Sequence, residues 1–172
     1  LRALPGLSSE TAGPSSPGQL VAQSTEPTEP GPSRGASMAL LDLSDDLIDA
    51  LTEFHARPEQ WPVIGIEIRM LGGALRAPRR AGLADLSDAR WLVYALAPIF
   101  PTVEIEPGDA SLEEFQGLVR DVAAPRTVPT FLSPGKTLDV AATPADLDRL
   151  TVLRGRFDPE SVLHEGRLPR RG

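Results

Sequence analysis

Glu67 and Arg69 stand two apart in IGIEIRM, where Ile64, Ile66, Ile68 and Met70 alternate with Gly65, Glu67 and Arg69. Strict alternation marks a strand with one apolar face, and its period of two sends the carboxylate and the guanidinium together to the opposite face. From there Arg69 could give charge-assisted hydrogen bonds to the oxygens of a substrate. The preferred reading is plainer: a solvent face with a same-side ion pair that is worth little when exposed. Tyr94, the single tyrosine, lies in the apolar run RWLVYALAPI. It is a catalytic candidate only if its phenol, with an ordinary pKa of about 10, were strongly acidified or served to hydrogen-bond a substrate hydroxyl. More often a lone tyrosine in such a strand is core with its hydroxyl satisfied.

Other chemistries find little support. The chain contains no cysteine, so disulfides, thiolate catalysis and cysteine-held metals are excluded, and with only His55 and His164 no metal site is expected. No nucleophile, base and orienting acid occur together in a hydrolase motif. A net charge of -7, from 24 acidic and 17 basic side chains, offers no broad positive surface for phosphates, and no nucleic-acid partner is expected. Arg167, Arg170 and Arg171 read as a solvated basic cluster, the last two in a basic tail at residues 169–172. No apolar run approaches the length that crosses a bilayer, and the opening has no signal-peptide pattern. A soluble, cytoplasmic protein is the expectation.

The elements that must position these residues follow from the pattern. Residues 1–37 hold six prolines, five glycines and seven serines without hydrophobic period, and read as a disordered arm or linker. A folded body is expected over 38–168. It opens on a helix in which Ser44 is the N-cap, Asp45 and Asp46 favour the positive end of the dipole, and Leu47, Ile48, Leu51 and Phe54 form one stripe, ending before Pro58. The alternating strand follows, closed by a turn at Gly72-Gly73, which reads as a turn and not a phosphate cradle because no helix starts there. The Tyr94 strand comes next, apolar on both faces. Ser111 and Glu114 suggest a capping box for a helix with the stripe Leu112, Phe115, Val119 and Val122. A short strand is expected from Thr127 to Leu132, then a turn at Ser133-Pro134-Gly135, then a last helix capped by Thr143 with Pro144 in its first turn. The class is α+β: a small antiparallel sheet with helices packed on one face. A sheet of two or three strands reads as part of a larger structure.

Three stretches carry a resemblance. IEIRMLGGAL (Ile66 to Leu75), TFLSPGK (Thr130 to Lys136) and RLTVLRGRFDPESVL (Arg149 to Leu163) follow one another at spacings that resemble the C-terminal part of FAD-linked oxidases of the berberine-bridge-enzyme type, particularly bacterial ones. They are similar in turn to that family's strand ending in Leu-Gly-Gly-Ala-Leu, its Tyr-x-Asn-Tyr or Tyr-x-Asn-Phe strand, and its closing helix with Tyr-Asp-Pro. The resemblance covers the folded body and leaves 1–37 unmatched.

The resemblance implies a substrate domain whose antiparallel sheet roofs the isoalloxazine ring of FAD, with a small-molecule substrate between them. It implies that Glu67, Arg69 and Tyr94 face the substrate, and that Thr130 and Phe131, at the Asn and the final aromatic of the Tyr-x-Asn-Tyr element, lie near the flavin. Val128 stands where the first tyrosine of that element would be, and the carboxylate base of plant members falls at or beside Val93, so both groups are missing here. The FAD-binding domain has no counterpart in residues 1–37, which lack a glycine-rich strand-to-helix turn and a histidine. The expectation is therefore an FAD-oxidoreductase substrate-domain fragment that neither holds FAD nor turns over alone, with the FAD domain missing or supplied in trans. The alternative is a stand-alone α+β interaction module that covers its sheet by forming a homodimer.

Overall fold

The computed structural model describes residues 13–23, 31–57, 62–73, 86, 88–99, 105–133, 135–163 and 166–167. The chain divides into two units, residues 1–30 and 31–172. In the first, helix α1 spans Pro17–Gln23. It starts on a reciprocal cap: the Ser16 backbone N–H donates to Gln19 Oε1 (2.7 Å) and the Gln19 N–H to Ser16 Oγ (3.3 Å). Proline at N1 suits such a start. The expected disordered arm thus contains one locally capped helix.

The second unit is a three-stranded antiparallel sheet of order β1-β3-β2, formed by β1 (Ser33–Leu40), β2 (Gly65–Met70) and β3 (Trp91–Pro98). The α+β class and the antiparallel sheet are as expected, but β1 corrects the arm: the folded body begins before residue 38, and Ser33 to Ser37 belong to the sheet. The strand escaped notice because SRGASMAL lacks the β-branched and aromatic residues by which strands are recognised. Its small residues have a packing reason. Ala36 and Ala39 are buried, and a Cβ on Gly35 would stand 2.5 Å from Tyr94 Oη.

Helices α2 (Asp45–Ala56) and α3 (Glu106–Val119) lie on one face of the sheet. Leu51 and Phe54 of α2 and Leu112, Phe115 and Val119 of α3 close a core against Ala36, Leu40, Val93, Ala95 and Ala97. Phe54 and Phe115 meet with ring centroids 6.4 Å apart. Ser44 caps α2 as expected, its side chain accepting from the Leu47 N–H at 3.2 Å. The Ser111 capping box is not formed. Helix α3 starts at Glu106, where Pro107 and the acidic Glu106 and Asp109 supply a first turn, and Ser111 is buried inside it. Glu114 instead accepts from Arg57 Nη1 at 2.9 Å, joining α3 to the end of α2.

β3 is the central strand: Val93, Ala95 and Ala97 are buried against the helices, but on the other side only Leu92 is buried and Tyr94 and Leu96 are half-buried, so the cover on both faces that its apolar run implied is incomplete. The strand expected at Thr127–Leu132 is a 3-10 turn, Pro129–Phe131, with extended residues at either end. Pro129 cannot donate to a ladder, which keeps this segment out of the sheet. Helix α4 spans Pro144–Phe157 and has the expected cap: Thr143 and Asp146 form a capping box with Pro144 in the first turn. None of its residues is buried, and Val152 and Phe157 are each 72% exposed. Beyond it the buried Asp158 carboxylate accepts from the backbone N–H groups of Val162 (2.7 Å) and Leu163 (3.2 Å), which turns the chain back. His164 and residues 168–172, with Arg170 and Arg171 of the expected basic tail, lie outside the described residues; Arg167, expected to be solvated with them, instead donates from Nη1 to the carbonyls of Ser133 and Lys136. Among the described residues no helix is long and apolar enough to cross a membrane.

Candidate functional site

Ile66 packs on the core beneath the helices, and period two puts Ile68 on the same side of the sheet and Glu67 and Arg69 on the other. The register defines the rows on that side. Glu67 pairs with Tyr94, which pairs with Ser37; Arg69 pairs with Leu92, which pairs with Ala39; Gly65 pairs with Leu96, which pairs with Gly35. Residues from all three strands therefore share one surface patch.

The turn Pro129–Phe131 reaches over this patch. The Ser37 hydroxyl donates to the Phe131 carbonyl at 2.8 Å and so ties the turn to β1. The Phe131 ring then meets Tyr94 edge to face, centroids 5.3 Å apart, and lies 5.0 Å from the Arg69 guanidinium carbon. Arg69 is held from a second direction by a bidentate contact with Glu67: Nε to Oε1 at 2.5 Å and Nη2 to Oε2 at 2.9 Å. Its Nη1 has no partner among the described residues. Both side chains remain about half exposed, at 48% for Arg69 and 50% for Glu67.

The electrostatics decide what the group can do. The hydrogen bond from Arg69 holds the Glu67 carboxyl below its usual range, partial burial opposing it. Burial, and then the Glu67 charge, push the Tyr94 phenol above its usual value. At neutral pH the patch therefore presents a carboxylate already engaged by its cation, and a neutral phenol. Tyr94 can give a hydrogen bond, and acting as a base is disfavoured. The arrangement suits recognition of a flat, electron-rich group: an anchored cation, two aromatic rings and one O–H donor on a single surface.

Glu67, Arg69, Tyr94 and Phe131, which the sequence put forward from three separate expected strands, are thus brought together. Thr130 is exposed on the turn and makes no side-chain hydrogen bond among the described residues. Ser37 and Gly35 were missed, since they fell in the segment read as an arm. The alternation of Gly35, Ser37 and Ala39 with Ala36, Met38 and Leu40 was the available signal. His55 is exposed in the last turn of α2, and Gly73 takes the positive φ of 56° expected of its turn.

The chain matches no protein-family model, and no curated protein matches it significantly.

Proposed function

We propose that this chain is the C-terminal part of the substrate domain of an FAD-dependent oxidoreductase of the berberine-bridge type, and that the Glu67–Arg69–Tyr94–Phe131 face roofs a flavin held by another domain. The observation that carries this reading is the convergence of those four residues on the side of the sheet away from α2 and α3. In such an enzyme the flavin would accept a hydride from a C–H beside a hydroxyl or amine. The residues here fit one side of that ring: Arg69 supplies positive charge and N–H donors toward an electron-rich edge, Phe131 an aromatic surface, and Tyr94 a hydroxyl donor. Nothing among the described residues would cradle a pyrophosphate, so the reading requires a second domain.

Two further features agree with a partner domain. Helix α4 buries no residue, and Phe157, Val162 and Leu163 are 72, 80 and 67% exposed. β2 is an edge strand whose Ile68 and Met70 are only partly covered. That edge also supports the second reading, a module that pairs with a second copy of itself through the sheet.

Gel filtration of the purified chain with and without added FAD, followed by a visible absorption spectrum, tests the proposal. The chain alone is expected to elute colourless, and to retain flavin absorbance when co-expressed with an FAD-binding domain of the berberine-bridge type. A stoichiometric flavin on the isolated chain would overturn the need for a second domain. A stable dimer that stays colourless with the co-expressed domain favours the self-pairing module.

A further inference from the structure

We infer that a cleft beside β1, adjoining the Arg69 patch at Ser37 and Ala39, binds a small organic carboxylate with an apolar body. After α3 the chain runs back along the end of β1: the Leu41 N–H donates to the Val122 carbonyl at 2.8 Å and the Ala124 N–H to the Ala39 carbonyl at 2.7 Å. This return places Arg126 and Thr127 on one wall of a cleft of about 240 Å³. Ser133 and Lys136 line it too, at a turn where the Lys136 N–H donates to the Ser133 carbonyl at 3.2 Å and Gly135 takes φ 79°. Arg167 fixes that turn, its Nη1 donating to the carbonyls of Ser133 (2.9 Å) and Lys136 (3.2 Å).

Three observations define the ligand. The charge is positive: Arg126 and Lys136 line the cleft, no acidic side chain does, and neither cation makes an ion pair among the described residues. A carboxylate in the cleft would pair with the Arg126 and Lys136 charges. The rest of the lining is largely apolar, with Met38, Leu132 and Val140 available to an aliphatic or aromatic body. A volume of about 240 Å³ admits a ligand of the size of a benzoate or a medium-chain fatty acid.

Benzoate tests this on the whole chain, titrated at constant ionic strength and followed by the ¹H–¹⁵N resonances of the Thr127, Ser133 and Lys136 amides and the Arg126 Nε–H. Saturable shifts confined to those groups are expected. Benzamide, its neutral isostere, should bind about tenfold more weakly or worse, and Arg126→Gln should lose about tenfold in benzoate affinity. Lys136→Gln, on the exposed turn, should lose severalfold while leaving the spectrum otherwise unchanged, and supplies the test should Arg126→Gln fail to fold. Absence of saturable shifts, equal binding of benzamide, or equal shifts from inorganic phosphate would each overturn the proposal.

Discussion

The two faces of the sheet are built on opposite terms. On one, Ala36, Leu40, Val93, Ala95 and Ala97 are sealed under Phe54 and Phe115. On the other, Ser37, Tyr94, Glu67, Arg69 and Phe131 hold one another by a hydrogen bond, an ion pair, a cation–π contact and a ring pair, with Glu67 and Arg69 half in solvent. The first face makes the fold and could tolerate apolar exchange of similar volume. The second depends on orientation, since charge-assisted and aromatic contacts are sensitive to angle and distance. Stability and recognition are divided between opposite sides of the same three strands.

The largest expected effect lies on the covered face. Phe115→Ala removes a fully buried ring from the middle of the core and should cost about 3–5 kcal/mol in chemical denaturation, enough to unfold a marginal domain. A loss below about 1 kcal/mol would mean that α3 contributes little to the fold. Gly35→Ala should come next, at about 1–3 kcal/mol, because its Cβ would meet the Tyr94 ring at 2.5–2.8 Å and Phe131 hinders the ring from moving aside. Displaced Phe131 resonances in that variant would mark damage on the open face with the helix layer unchanged.

The smallest effects are pH-dependent. The Glu67 carboxyl is depressed, so its contribution is complete above its unfolded pKa and fades as pH falls through the folded value; half exposure keeps it small. Arg69→Leu should return the Glu67 carboxyl toward its ordinary value, read by carboxyl ¹³C titration. Tyr94 is shifted upward, so its contribution is complete below the unfolded value near 10 and is lost as pH rises toward the folded one. Phenolate absorbance appearing below the unfolded value would contradict the burial that defines this face.

What could be read from the sequence follows the same division. Periodicity placed Glu67 and Arg69 opposite the isoleucines, and local chemistry found the caps Ser44 and Thr143, because both signals are short-range. β1 was illegible for the reason that makes it fit: glycine, serine and alanine are chosen for what lies above them, and a contact such as Gly35 with Tyr94 has no trace in local composition. The Ser111–Glu114 pair misled because the capping pattern competed with a proline and two acids just upstream. That Phe131 meets both Tyr94 and Arg69 depends on a tether from Ser37, 94 positions away, which only the fold supplies.

The hollow at Gly35 makes β1 a strand specified by subtraction. A saturation library across Ser33–Leu40 should show tolerance that rises and falls along the strand: wide at the exposed Ser33, restricted to small side chains at the buried Ala36 and Ala39, and narrowed to glycine at position 35. Comparison of sequences related to this one would then find β1 by the ceiling on side-chain volume at those positions, where hydrophobicity would pass over it.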